Sequence, residues 1–109
     1  MVKIVYVIKR KEGMSVEDFQ TYWFETHGPI AGAIPGVRRY VQCHTLPELY
    51  GDSDEPAFDG AAELWFDSLE AMEEAFQTDE IAAARESELK FMDHSKSFRI
   101  VTEEKSVIE

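Results

Sequence analysis

Four β-rich runs, separated by helical stretches, restrict the fold of this chain more than any other feature. Alternating apolar residues predict strands at residues 2–8, 37–45, 58–66 and 96–103. A helix is predicted over about residues 15–27, and further helical stretches begin at Ser68 and at Thr78 or Asp79. The order strand, helix, strand, strand, helix, strand predicts an α+β protein whose four-stranded antiparallel sheet carries its helices on one face.

The other face of the predicted sheet also carries apolar side chains, and it therefore needs a cover. The residues assigned to this face are Val5, Val7, Val41, Trp65 and Val101. A second copy of the chain would cover them, because two sheets packed face to face form a closed barrel. We therefore expect a homodimer.

Charge and the length of the apolar runs argue against two classes of partner, nucleic acid and membranes. Eleven basic residues stand against 22 acidic ones, which gives a net charge of −11. Nucleic-acid binding needs clusters of cationic side chains, and the nearest approach to one is the short run at residues 9–11. No apolar run approaches the length of a bilayer span. We expect neither nucleic acid nor a membrane as a partner.

Cysteine and histidine usage points to a cytoplasmic protein without a metal. Cys43 is the only cysteine, so no internal disulfide forms, and the chain enters its first strand without a basic leader. The three histidines lack the spacing of metal ligands.

One domain, 1–109, is expected, with a flexible tail from about residue 104. The acidic loop at 47–56 is the strongest candidate for a lid.

The first predicted helix places an imidazole beside large aromatic rings. Phe19, Trp23 and His27 are spaced at i, i+4 and i+8, so they share one helix face. That face is expected to be buried, since each exposed ring would forfeit roughly 1.5–3 kcal/mol. Residues 28–29, Gly-Pro, are predicted to end the helix behind His27. His27 would then lie where a pocket opens between helix and sheet.

Four segments together resemble the EthD family, within the dimeric α+β barrel group. They are FQTYWFETHGP at 19–29, IPGVRRYVQ at 34–42, DGAAELWFDS at 59–68 and FMDHS at 91–95. The resemblance implies a ferredoxin-like βαββαβ protomer that pairs into a barrel, with a cavity between helices and sheet. EthD proteins often carry an oxidoreductase label without a defined reaction. The wider group includes isomerases, cyclases, decarboxylases, monooxygenases and haem-handling proteins, and fold alone does not choose among them.

His27 is the candidate catalytic residue. An imidazole whose pKa is near its ordinary value suits a general acid or base; the alternative is a capping histidine stabilised as a cation by the helix dipole. The expected substrate-binding residues are Tyr6, Trp23, Tyr40, Gln42, Leu64, Phe91 and His94. Each tyrosine is either a donor to a ligand or a core ring, and His94 is either a second polar group or a solvated loop residue.

Two further patterns carry expectations of packing. Ala82, Arg85, Leu89 and Met92 share a stripe along the last predicted helix. Asp59 and Glu63 lie roughly 13 Å apart along a strand, too far for a catalytic carboxylate pair. We expect them to pair with Arg39 or Arg99.

These residues favour a small-molecule-binding protein for a small apolar or aromatic metabolite. The resemblance implies that it acts on this metabolite as an isomerase, a decarboxylase or an oxygenase of the oxidoreductase class. No cofactor is expected, because Gly28 and Gly32 do not form a dinucleotide-binding pattern after a strand. One alternative is a haem-binding barrel protein with His27 or His94 as the axial ligand. The other is a non-catalytic carrier or accessory subunit of a degradation pathway. The sequence leaves open whether the protein is an enzyme.

Overall fold

A computed structural model describes residues 1–51 and 55–109 of the chain. Its strands are β1 (Val2–Ile8), β2 (Arg39–His44), β3 (Gly60–Phe66) and β4 (Phe98–Glu103). Its α-helices are α1 (Val16–Thr21), α2 (Gly28–Gly32), α3 (Leu69–Ala75) and α4 (Asp79–Glu88). Short 3-10 turns lie at Pro47–Leu49 and His94–Lys96. All four predicted strands are present, and the last three begin two residues later than the sequence pattern predicts.

The strands form one antiparallel sheet in the order β2-β3-β1-β4. This confirms the expected α+β class with a four-stranded antiparallel sheet. The core lies between the sheet and the helices, where Ile4, Ile8 and Phe66 from the strands meet Phe19 and Trp23 from the first helix. Their side chains are almost completely buried, so the apolar faces of strand and helix explain the layer.

Three side chains cap the helices where the sequence predicts them to begin. The hydroxyls of Ser15 and Ser68 each accept a backbone N–H three residues on at 3.0 Å, and Thr78 does the same at 3.4 Å. Each satisfies one of the amide groups that a helix leaves without an internal partner. The predicted starts of α1, α3 and α4 are confirmed.

The first helix does not end at Gly28 and Pro29, as the sequence predicts. α1 passes into a π-helical segment, Tyr22–His27, which continues directly into α2. Pro29 stands in the first turn of α2, where a missing N–H costs no hydrogen bond. His27 therefore lies within a long helical stretch, at the end of its π-helical segment. Such segments often occur at functional sites.

The face of the sheet away from the helices has no cover within one chain. Val5 pairs with Ile100 and Val7 with Phe98 across β1 and β4, so these side chains share the outer face. Ile100 and Phe98 are largely exposed. Val101 was assigned to this face wrongly: it lies opposite the buried Ile4 and so points to the helix side.

Trp65 lies on the outer face but is buried by its own chain. Lys3 lies 5.1 Å and Arg39 4.6 Å from the centroid of its ring, and its indole N–H donates to Glu104 at 2.5 Å. Glu104, the first residue of the expected tail, is therefore hydrogen-bonded to the sheet. Farther along, Val107 and Ile108 are almost fully exposed.

The expected partners of the two strand carboxylates are wrong. Asp59 is completely buried and accepts from the Arg10 guanidinium and backbone N–H, both at 2.7 Å, and from Tyr50 at 2.6 Å. Glu63 pairs with Lys3 at 2.6 Å. The register explains this, because Lys3 and Glu63 lie on the outer face of adjacent strands, and Asp59 lies beyond the end of β3, beside Arg10.

The same carboxylate anchors the described parts of the loop at 47–56. Tyr50 donates to Asp59, and Glu55 bonds to the Arg10 guanidinium that also binds Asp59. The described residues of this loop do not line the spaces at His27. The lid expected here would also involve residues 52–54, which lie outside the described residues. None of the helices described combines the length and apolarity needed to cross a bilayer.

Candidate functional site

His27 lies in the core, bonded to a side chain of a different helix. Its ring is 5% exposed and packs against Phe91 at 4.8 Å between centroids. Its Nδ1 lies 2.9 Å from the Ser87 hydroxyl on α4, which also lies 3.1 Å from the Tyr22 hydroxyl. The other ring nitrogen, Nε2, has no hydrogen-bond partner among the described residues. Since no described side-chain nitrogen or oxygen is both fully buried and unbonded, Nε2 retains some accessible surface. Nε2 is the nitrogen available to a ligand.

Burial changes the protonation of His27. It lowers the pKa of the imidazole from 6.5 to about 4, because a charged ring loses hydration and gains no anionic partner there. The expected pKa near the ordinary value is therefore wrong, and His27 is neutral at pH 7. The alternative of a capping cation is wrong as well, since its Nδ1 bonds to a side chain inside the fold.

A small cavity of about 60 Å³ adjoins His27. Its lining residues come from the first helical stretch, the sheet and α4. The predicted residues that line it are Tyr6, Trp23, His27, Tyr40, Leu64 and Phe91. A cavity needs roughly 10–15 Å³ by this measure to hold one water molecule, so this inner cavity has room for a few water molecules or a small chemical group.

A larger groove of about 740 Å³ lies next to the inner cavity, between α4 and the β4 edge of the sheet. Its volume falls in the range of small-molecule sites. Leu89 and Met92 are among its apolar lining residues, and the exposed Phe98 borders it at the edge of the sheet. The residues that line both spaces are Tyr6, Arg85, Glu88, Met92 and Arg99. The two spaces therefore adjoin at these five side chains, which we call the junction.

The two tyrosines keep their hydroxyl protons, and the Tyr40 hydroxyl accepts a bond from Gln42. Burial raises the pKa of Tyr6 and of Tyr40 above the ordinary value, so both remain protonated at neutral pH. The Gln42 amide donates to the Tyr40 hydroxyl at 2.7 Å and to the Trp23 carbonyl at 2.9 Å. Because the Tyr40 oxygen accepts this bond, its own proton is free to bond to a ligand.

Gln42 supports Tyr40 instead of lining the cavity. Its amide oxygen accepts from His44 Nε2 at 2.8 Å, and the His44 ring stacks on Trp23 with centroids 4.3 Å apart. His44, Gln42 and Tyr40 thus form a chain of bonds along the helix side of β2. Gln42 lines neither of the two spaces, and its contact with a ligand stays a prediction.

His94 is separated from His27. It lies in the wall of the outer groove, where its Nε2 is 3.1 Å from a Glu88 oxygen. Within residues 1–51 and 55–109, no group of three or more His, Cys, Asp or Glu side chains could hold a metal ion.

Ser87, Arg85 and Arg99 are site residues that the sequence did not identify. α4 buries Ile81, Ala84 and Ser87, whereas the stripe expected from the sequence includes Arg85 and the largely exposed Leu89. The neighbouring stripe at spacings of three residues contains Ser87 as its single polar member. A polar residue on an otherwise small, apolar helix face was the available signal.

Comparisons with known proteins agree with this architecture. A family profile described as EthD domain matches residues 11–95. The crystal structure of an ethyl tert-butyl ether D (EthD) family protein from Bacillus halodurans has 26% identity and a TM-score of 0.78, covering 96% of this chain and 99% of that one. No curated protein matches the sequence.

More distant structures share the fold at lower identity. A dimeric protein of unknown function with a ferredoxin-like fold, from Bacteroides fragilis, has 15% identity and a TM-score of 0.66, covering 94% of each chain. SnoaB, a cofactor-independent oxygenase from Streptomyces nogalater, has 12% identity and a TM-score of 0.67, covering 99% of this chain and 97% of its own. Because the profile matches most of the residues and the EthD structure aligns over almost the whole length, this chain belongs to the EthD domain family.

Proposed function

We propose that the protein binds a small apolar or aromatic metabolite in the outer groove and transfers a proton to or from it with His27. One observation carries this proposal: a buried, neutral imidazole keeps one nitrogen for a ligand at a cavity that adjoins a groove of metabolite size. The ligand body would lie in the groove, and its reacting group would enter the inner cavity.

Ser87 would set which proton state His27 offers. If Nδ1–H donates to Ser87, and Ser87 donates to Tyr22, then Nε2 carries a lone pair and acts as a base. If Tyr22 donates to Ser87, and Ser87 donates to Nδ1, then Nε2 carries the proton and acts as a donor. The distances of 2.9 and 3.1 Å allow either direction. Ser87 and Tyr22 are therefore positioning residues for His27.

Tyr6 and Tyr40 would hold the polar group of the ligand. Both hydroxyls belong to side chains in the cavity wall, and both stay protonated because burial raises their pKa. Two donors beside a carbonyl stabilise the negative charge that develops when a neighbouring proton leaves. His27 would take that proton, and its low pKa would make the imidazolium a ready acid for the return step.

Proton removal is a step shared by two of the reaction classes that the family resemblance implies, the isomerases and the oxygenases. In an isomerase the proton returns to a different atom, and in an oxygenase the carbanion reacts with O₂ as a co-substrate. SnoaB is described as a cofactor-independent oxygenase, and at 12% identity it supports only the capacity of the fold for such chemistry. Gly28 and Gly32 both lie in α2 and not in a loop between a strand and a helix.

The two alternative functions, haem binding and ligand carriage, differ from this proposal in the site or the activity that they require. A haem ligand at His27 would need space for a porphyrin, whereas the cavity there is about 60 Å³, and His94 is engaged by Glu88. A carrier would use the same groove and bind without turnover, so the experiment below distinguishes it.

The single thiol, on the exposed Cys43, is consistent with the reducing cytoplasm that we propose as the location.

We also propose that the protein works as a homodimer through the outer face of the sheet. That face exposes Phe98 and Ile100 beside Val5 and Val7, and the Bacteroides fragilis relative is described as dimeric. Sedimentation of the wild type is expected to give a dimer, and Val5→Glu is expected to give a monomer. Val107→Glu, at a residue that is 92% exposed, is the matched control and stays dimeric. A monomeric wild type at micromolar concentration contradicts this proposal.

Hydrogen–deuterium exchange into bound ligands tests the proton transfer. Enolisable aromatic ketones, phenylpyruvate and benzoylacetone among them, are followed by NMR in D₂O with the wild type and with His27→Gln. We expect exchange faster than in buffer alone, and a loss of at least tenfold in His27→Gln while binding persists. Saturable binding without accelerated exchange would show a carrier. Absence of binding to the whole panel would overturn the proposed site.

A further inference from the structure

Two guanidinium groups lie at the junction between the inner cavity and the outer groove. Arg85 comes from α4 and Arg99 from β4, so they reach the junction from two elements, and each lines both spaces. The proposed proton transfer at His27 assigns no role to either residue. Their position is therefore a separate feature of the site.

One aromatic ring contacts both groups. Arg85 lies 5.5 Å and Arg99 5.3 Å from the centroid of Phe76, measured from the guanidinium carbon. Stacking on a ring holds a guanidinium in place and leaves its N–H groups available to bond elsewhere. The two arginines are thus held near each other by a contact that does not neutralise their charge.

Neither arginine forms an ion pair in the part of the chain that the structure describes. The carboxylates expected to neutralise Arg99 are engaged elsewhere, Asp59 by Arg10 and Glu63 by Lys3. At the junction itself, Glu88 bonds to His94 at 3.1 Å, and the exposed Glu86 lines only the outer groove. Both arginines are exposed, so in a chain with a net charge of −11 they place two positive charges, without a carboxylate partner among the described residues, beside an apolar groove.

We propose that Arg85 and Arg99 bind a carboxylate of the ligand, so that the substrates are apolar or aromatic carboxylic acids. This inference rests on the proposed function, because it assigns the ligand to the same groove. A guanidinium offers two parallel N–H groups that match the two oxygens of a carboxylate. With the carboxylate held at the junction, the apolar body lies against Leu89 and Met92, and a neighbouring atom points toward His27.

Charge-matched probes test the inference. Naphthalene-1-carboxylate and naphthalene-1-carboxamide have nearly the same shape and differ in charge, and their dissociation constants are measured by calorimetry at low and high salt. We expect the wild type to bind the carboxylate about tenfold more tightly than the amide, as for a hydrogen bond to a charged group. That preference should shrink as salt increases.

Variants then assign the preference to the two arginines. Arg85→Gln and Arg99→Gln are each expected to remove most of the preference by weakening the binding of the carboxylate. Arg38→Gln, at an exposed arginine paired with Asp67, is the matched control and keeps the preference. His27→Gln keeps it as well, because the carboxylate does not rest on the imidazole.

The outcomes separate this inference from the proposed function. Equal binding of the two probes, or a preference that survives in Arg85→Gln and Arg99→Gln, overturns the carboxylate site and leaves the groove and His27 in place. Failure of both probes to bind overturns the groove as the ligand site, and with it the proposed function. A preference lost only in the two junction variants supports the inference.

Discussion

His27 and Ser87 are separated by 60 positions in the chain, and the structure joins His27 Nδ1 to the Ser87 hydroxyl at 2.9 Å. The bond connects the π-helical segment to α4 across the core. Both side chains are buried, so each depends on the other for the hydrogen bond that water would otherwise provide. It also leaves Nε2 as the ring nitrogen without a bonding partner among the described residues.

Removing the Ser87 hydroxyl should destabilise the protein and disturb His27. In Ser87→Ala, His27 Nδ1 and the Tyr22 hydroxyl lose their shared partner, and a buried polar group without a partner costs about 1–3 kcal/mol. Urea unfolding measures the change. In the Tyr22→Phe background, Ser87→Ala should destabilise the protein less than it does in the wild type. A double-mutant cycle measures this coupling between the two residues. Ser106→Ala, in the exposed tail, should change nothing.

Acidification should destabilise the protein through His27. The imidazole has a pKa of about 4 when folded and 6.5 as its ordinary value, so between these values the unfolded state binds more protons. Stability therefore rises with pH: the His27 contribution is complete above pH 6.5 and is lost as the pH falls toward 4. The slope is at most about 1.4 kcal/mol per pH unit, about 3 kcal/mol in all.

Urea unfolding at several pH values measures this slope. His27→Gln should flatten the curve between pH 6.5 and 4, because it has no imidazole to protonate. His44, whose pKa burial also lowers, contributes with the same sign and remains in both proteins, so the difference between the curves isolates His27. Parallel curves for the two proteins would show that His27 is not held neutral.

Asp59 should stabilise the end of the sheet. Burial raises the pKa of its carboxyl, but hydrogen bonds from the Arg10 backbone, Tyr50 and the Arg10 guanidinium outweigh this and lower it. Asp59→Asn leaves Arg10 near a neutral amide, and breaking a buried pair costs about 3–5 kcal/mol. Thermal unfolding measures the loss, and limited proteolysis should cut the loop at 47–56 faster. Asp67→Asn, at an exposed pair, is the control and should change little.

Gly60 should tolerate no side chain. A Cβ there would lie 2.6 Å from the Trp23 ring and 2.6 Å from the Cys43 carbonyl oxygen, so Gly60→Ala forces the helix away from the sheet. Overpacking of this kind costs about 1–3 kcal/mol. Gly32→Ala is the matched control, because nothing lies within 4 Å of its Cβ and alanine favours the helix. If the two variants unfold at the same denaturant concentration, the contact of Trp23 with β3 is not as described.

Much of the architecture followed from local patterns. Alternation in β1, the capping residues Ser15, Ser68 and Thr78, and the aromatic face at Phe19 and Trp23 each act over a few residues, and each was predicted correctly. The end of the first helix was not, because the effect of Pro29 depends on where in a helical turn it stands. The buried stripe of α4 was displaced by one position, since several spacings fit a short helix rich in alanine.

By itself the sequence determined the order of the elements, the layer that holds the core and the presence of His27 beside aromatic rings, because spacing along a helix or strand fixes which side chains share a face. Only the tertiary structure decided which distant residues meet. It brought Ser87 to His27, Arg10 to Asp59, and Arg85 to Arg99 across Phe76. It also lowered the pKa of His27, since hydration is lost only when the helices close over the sheet.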